Sequence, residues 1–139
     1  MENYSSGSRN LLQITNFLMS AGFCKKKFST NKITSFYFMA PERILADLDK
    51  SSDNDSWSKC DIWSVGCILF FLTFGKVPFV GENNHHIVKN IKKGFCVASL
   101  NKDWGEEILS LLKFIESLLQ VDPRERLDAT AALNSEFLT

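Results

Sequence analysis

The chain has 139 residues, enough for one domain with a buried core. Its 16 basic and 16 acidic residues cancel, so no global field argues for nucleic acid or an anionic membrane as partner. Apolar residues make up 45% and include twelve phenylalanines, which promises an aromatic-rich core in a globular protein.

Residues 1–10 (MENYSSGSRN) form a polar tail without an apolar signal region, so an intracellular, cytoplasmic protein is expected. Leu11 to Thr15 reads as a short strand, and Phe23 to Ser35 as a loop carrying Lys25, Lys26, Lys27 and Lys32. Met39 to Ala46 suits a short helix, and Asp47 to Ser56 (DLDKSSDNDS) an acidic, solvated connection. The strongest helix follows. Ser58 and Asp61 have the spacing of a capping box before an apolar run. From Ile62 onward nearly every face is apolar, which places this helix at the centre of the fold. Gly75 and Pro78 close it.

Asn84 to Lys92 forms a further helix with Ile87, Val88 and Ile91 inward, ended by Gly94. Asp103 is the expected cap of a third, in which Trp104, Ile108, Leu111, Leu112, Ile115 and Leu119 fall on one stripe of period 3.6. Asp122-Pro123 stops it, and Asp128 starts a last short helix through Leu133. The apolar run Ile62 to Gly75 is shorter than the roughly 20 residues of a membrane span, so it is read as core. By periodicity alone the fold is mainly α, with one central buried helix, and the function stays open.

Several chemical signals are weak. Cysteines 24, 60, 67 and 96 form no C-x-x-C pair and are read as reduced thiols. His85 and His86 are adjacent and point to different sides of a helix, which does not suit zinc. Asp47, Asp49, Asp53 and Asp55 approach a calcium loop, but Ser52 and Ser58 stand where Gly and Glu are needed. Lys89, Lys92 and Lys93 read most simply as a solvated helix face.

Three runs change the reading: FYFMAPE (Phe36 to Glu42), KCDIWSVGCILF (Lys59 to Phe70) and VDPRERLDATAAL (Val121 to Leu133). In order and spacing they resemble the large, mostly helical lobe of eukaryotic protein kinases, most closely the calcium/calmodulin-dependent type of serine/threonine kinase. The resemblance implies a partial kinase-like domain over 11–138, from the activation segment through the last helices. It also implies a buried ion pair between Glu42 of the A-P-E motif and Arg126 of the D-P-x-x-R motif. Asp61 takes the position of a family Asp that binds the catalytic loop; with no such loop, helix capping with Ser58 is the preferred role. Trp63 and Gly66 are expected as a packing anchor and a close-approach gap. Ser35 stands at the family's substrate-loop Thr, but Thr34 replaces the preceding Gly. Ser29, Thr30 and Thr34 are candidate phosphate acceptors beside the lysines, with solvent-facing hydroxyls as the plainer account.

The departures are as informative. QITNFLMS (Gln13 to Ser20) lies where the family reads K-I-x-D-F-G-L-S, so Asn16 replaces the magnesium-binding Asp and Leu18 the Gly. The sequence has no G-x-G-x-x-G loop, no V-A-I-K-like lysine and no H-R-D loop. As the chain stands, no catalytic residue, cofactor site or metal site is expected, although the family uses ATP and magnesium. The first expectation is a truncated serine/threonine kinase-like domain, unable to transfer phosphate alone and serving as a binding or decoy module. The alternatives are the C-terminal portion of an ATP-dependent kinase catalysed by its missing part, and an unrelated helical interaction domain. Loss of the family's covering helix implies an exposed apolar patch near Phe70 to Phe74 that invites a protein partner.

Overall fold

The computed structural model of the chain describes residues 37–44, 54–100 and 103–139. The chain divides into two units, residues 1–31 and 32–139, and every described residue belongs to the second. The expected strand Leu11–Thr15 lies outside the described residues, as do Asn16, Ser29, Thr30, Thr34 and Ser35.

Among the described residues there are five helices and one 3₁₀ turn: α1 (Pro41–Ile44), α2 (Asn54–Phe74), α3 (Asn84–Lys93), the turn Val97–Leu100, α4 (Glu106–Leu118) and α5 (Ala129–Leu133). No strand occurs among the described residues, and the architecture is mainly α. Proline opens α1 at a position where its missing N–H has no helical partner to lose. The 21-residue α2 is the spine. Cys60, Trp63, Cys67 and Phe70, at i, i+3, i+7 and i+10, are buried along one side of it.

That side packs against α4, whose Leu112 and Ile115 are fully buried, and against Leu119 just beyond it. The two backbones come close because position 66 lacks a side chain. A Cβ added at Gly66 would meet Leu119 Cδ2 at 2.9 Å and Leu118 Cβ at 3.0 Å. Trp63 stacks on Phe79 with centroids 5.3 Å apart and planes 8° apart. Phe70 meets Phe74 and Phe95, and Phe74 meets Trp104, so the core is aromatic along the spine.

Helix α3 begins at the Asn83 cap, whose side chain accepts from His86 N, and buries Ile87 and Ile91. It ends at Gly94 with φ +79°, a conformation costly for any residue with a Cβ. The unforeseen 3₁₀ turn is tied to α4 by Val97 N donating to Glu116 Oε1 at 3.2 Å. Asp128 caps α5 by accepting from Ala131 N at 2.8 Å.

Three sequence expectations need correction. Helix α2 starts at Asn54, so Ser58 and Asp61 lie inside it and do not cap its N-terminus. Helix α4 is entered through Gly105 without a side-chain cap, leaving Asp103 and Trp104 outside it. Glu106 and Glu107 in its first turn supply negative charge at the positive end of the helix dipole instead.

The third correction concerns burial. Helix α2 is not enclosed on all sides: Val65, Ile68 and Leu72, at i, i+3 and i+7 opposite the core stripe, are 45%, 46% and 73% exposed, and Phe71 beside them 44%. Within the patch expected near Phe70 to Phe74, Phe71 and Leu72 are exposed, whereas Phe70 is buried and Phe74 packs against the core. No helix among the described residues is long and apolar enough to cross a membrane.

Candidate functional site

Among the described residues the most heavily connected polar side chain is that of Arg126, which is fully buried. A buried guanidinium has five N–H donors to satisfy, and burying any of them without a partner is costly. All five are used. Nη1 donates to Glu42 Oε1 at 2.6 Å and to the Lys59 carbonyl at 2.7 Å. Nη2 donates to Glu42 Oε2 at 3.0 Å and, more loosely, to the Val121 carbonyl at 3.4 Å. Nε donates to the Gln120 carbonyl at 2.9 Å.

These acceptors are delivered by three separate pieces of chain. Glu42 comes from the first turn of α1, Lys59 from the early part of α2, and Gln120 and Val121 from the segment leaving α4. Trp63 adds a face beneath the charge, with the guanidinium carbon 5.1 Å from its ring centroid. Lys59 Nζ closes the circuit by donating to the Arg126 carbonyl at 2.8 Å. Arg126 therefore fastens α1, α2 and the end of α4 together through one side chain.

Two further contacts hold residues 37–44 on the spine. Cys60 Sγ donates to Glu42 Oε1 at 3.1 Å, and Ser64 Oγ donates to the Phe38 carbonyl at 2.9 Å. Burial, and then this hydrogen bond to the carboxylate, push the Cys60 thiol up to about 12; burial does the same to Cys67. Both sulfurs are thus protonated and unreactive at neutral pH. Asp122, beside the clamp, is different: its carboxylate is exposed to solvent and drawn down to about 2 by hydrogen bonds from Arg124.

The structure brings Glu42, Arg126 and Trp63 together, and it places Gly66 one turn along the same helix against Leu118 and Leu119. It leaves Asp61 exposed on α2, away from any cap. Cys60, Lys59, Gln120 and Val121 were not singled out from sequence. Three of them, Lys59, Gln120 and Val121, act on the guanidinium through backbone carbonyls, which every residue possesses, so no side-chain signal announces them.

Chemically this is a holding site. With its donors spent, Arg126 has none left for a phosphate oxygen. No group of three or more His, Cys, Asp or Glu side chains among the described residues could hold a metal ion.

Comparison with known proteins gives this architecture its kin. The family model described as protein kinase domain matches residues 2–138. The chain is 33% identical over 120 residues to calcium-dependent protein kinase 5 of Plasmodium berghei, a match covering 84% of this chain and 20% of that protein. It is 32% identical over 136 residues to serine/threonine-protein kinase RAD53 of Saccharomyces cerevisiae, covering 92% of this chain and 16% of the relative. Among solved structures, the Rad53 kinase domain with SCD2 superposes at a TM-score of 0.59 with 33% identity, covering 76% of this chain and 37% of that one. Rad53 1-466 in complex with AMP-PNP gives 0.60 and 33%, covering 75% and 26%. The chain spans about a fifth of the length of the curated relatives it matches. It belongs to the protein kinase domain family, as a kinase-like large-lobe fragment related to serine/threonine kinases.

Proposed function

We propose that these 139 residues form a kinase-family scaffold that engages a protein partner and does not, alone, hold ATP·Mg²⁺ productively or transfer phosphate. The observation that carries this reading is a contrast. The Glu42–Arg126 clamp is complete, with every guanidinium donor satisfied. The groups that would act on a nucleotide have no counterpart in the sequence: no Gly-rich loop, no V-A-I-K-like lysine, no H-R-D base. Phosphoryl transfer in this family depends on positioning and electrostatic stabilisation by those groups. Asn16, at the position of the metal-binding Asp, brings no formal charge to a hard cation.

On this reading residues 36–42 are the end of an activation segment, clamped in place with nothing left to activate. The partner is a protein seated on the apolar side of α2 formed by Val65, Ile68, Phe71 and Leu72. Cys60, Cys67 and Cys96, which form no disulfide among the described residues, suit a reducing, intracellular setting.

A second reading is favoured by one observation, the short span of the match along its relatives. In it the chain is the C-terminal part of a serine/threonine kinase, and the catalytic groups reside in sequence upstream. A nucleotide assay tests the inertness of the chain alone, and upstream sequence separates the two readings. Purified chain is mixed with ATP·Mg²⁺ and a generic basic peptide, following thermal shift and labelled phosphate transfer. The first reading expects neither signal, and a stoichiometric shift with transfer overturns it. Genomic sequence upstream of Met1 encoding a Gly-rich loop and an H-R-D loop in frame would establish the second.

A further inference from the structure

The exposed side of α3 carries a charge pattern that the kinase-like scaffold does not use. Placed at 3.6 residues per turn, Lys92, His85, Lys89, Lys93 and His86 follow one another around about a third of the helix circumference. All five are exposed, and Ile87 and Ile91 lie buried on the opposite side. No acidic residue occurs within the helix. Glu82, just before it, lies 3.7 Å from His86, and among the described residues none of the three lysines makes an ion pair.

Lys92 and Lys93 sit in the last turn, where positive charge favours the helix dipole. That accounts for two residues and not for the stripe, which runs back through Lys89 to His85 in the first turn. Like charges crowded on one helix face repel one another, a small cost when no counter-charge is supplied from within the fold. An external anion relieves it.

We propose that this face of α3 is a docking surface for an acidic protein segment, one with several Asp or Glu side chains in a short stretch. The face is about two turns long, matched to a few carboxylates rather than to the run of phosphates a nucleic-acid site tracks. Its only rings are those of His85 and His86, and it has no Phe, Tyr or Trp on which a base would stack. A membrane surface suits it poorly as well, because the apolar side of α3 is committed to the core and has nothing to insert. The inference is independent of whether the α2 face binds a partner or the chain transfers phosphate.

The test uses the whole 139-residue chain and a labelled twelve-residue Glu/Asp peptide, read by fluorescence anisotropy across a salt series. Saturable binding is expected, weakening steadily as salt rises. Lys89→Gln/Lys92→Gln/Lys93→Gln should weaken it about tenfold or more, while Lys113→Gln, a charge removed from exposed α4 surface, leaves it unchanged. Equal loss in both variants, or none in the triple variant whose circular dichroism matches the parent, overturns the proposal. Single-stranded DNA or phosphatidylserine vesicles binding more tightly than the peptide through the same lysines would also overturn it. So would peptide binding that appears only after Asp47, Asp49, Asp53 and Asp55 are changed to Asn, since the chain's own acidic stretch would then be the occupant.

Discussion

Glu42 and Arg126, 84 residues apart in sequence, meet through both carboxylate oxygens and both terminal guanidinium nitrogens. The two sides of the pair are unequal: the Arg126 side chain is fully buried, and that of Glu42 is 20% exposed. The consequences of breaking it should therefore differ by which partner is removed. Glu42→Ala strands a buried cation that still has three carbonyl acceptors, and is expected to cost about 3 kcal/mol. Arg126→Ala adds a cavity and unties α1, α2 and the α4 exit, and should reach the upper end of about 3–5 kcal/mol. Urea denaturation of each variant and the double variant measures this. Additive losses would mean that the two residues are not coupled.

Charge alone should not rescue the site. Arg126→Lys keeps a cation but offers a compact ammonium with three donors where five acceptors are spread around a planar fork. Hydrogen bonds to the Gln120 and Val121 carbonyls and the paired contact to Glu42 cannot all be kept. A loss of about 2 kcal/mol is expected in the same urea experiment. A Lys variant as stable as the parent would show that geometry at this position is unimportant.

The close approach of α2 and α4 gives a third expectation. Gly66→Ala puts a Cβ 3.0 Å from Leu118 Cβ, which is anchored to backbone, and 2.9 Å from the flexible end of Leu119. Overpacking of this sort costs about 1–3 kcal/mol. Adding Leu119→Ala relieves only the second clash, so thermal unfolding of the double variant should show no recovery beyond what its own cavity permits.

The Glu42–Arg126 partnership was legible only through the resemblance that the A-P-E and D-P-x-x-R motifs carry, while the end of α3 at Gly94 and the start of α5 at Asp128 were legible from capping chemistry, which is local. Sequence reading misplaced the start of α2 because Ser58 and Asp61 match a capping pattern that is equally compatible with the interior of a helix, and a local pattern does not say which turn the backbone leaves first. Asp103 failed for the same reason against Gly105. The enclosure of α2 was over-read because hydropathy reports what a helix prefers and not which neighbours the fold supplies. Val65, Ile68 and Leu72 are as apolar as the buried positions, yet no described element covers them.

That open side has a measurable consequence. Ile68→Gln and Leu72→Gln remove apolar surface already in contact with water, so stability should move by less than about 0.5 kcal/mol. Binding of a hydrophobic dye and self-association in sedimentation should both fall. Phe70→Ala, on the buried side of the same helix, should by contrast cost about 3–5 kcal/mol. If the Gln variants destabilise the fold as much as Phe70→Ala does, the α2 face is covered in solution and the partner surface proposed here is absent.

Alkaline pH should expose the two buried thiols. Cys60 and Cys67 hold their protons up to about 12 in the folded chain, chiefly through burial, against an ordinary value of 9.0. The unfolded chain loses those protons first. Their contribution to stability is therefore complete below pH 9 and declines as pH rises from 9 toward 12, by up to about 1.4 kcal/mol per pH unit for each thiol. Every other group is common to parent and variant, so the comparison isolates the sulfur. Urea midpoints for the parent and Cys67→Ala should converge between pH 8.5 and pH 10.5, because the variant has one such proton fewer to lose. A thiol-specific reagent at neutral pH, in a Cys24→Ser background, should modify exposed Cys96 quickly and the other two only on unfolding. Parallel stability curves together with rapid modification of Cys60 would show that the thiol beside Glu42 is open to solvent, and that the clamp is looser than its distances indicate.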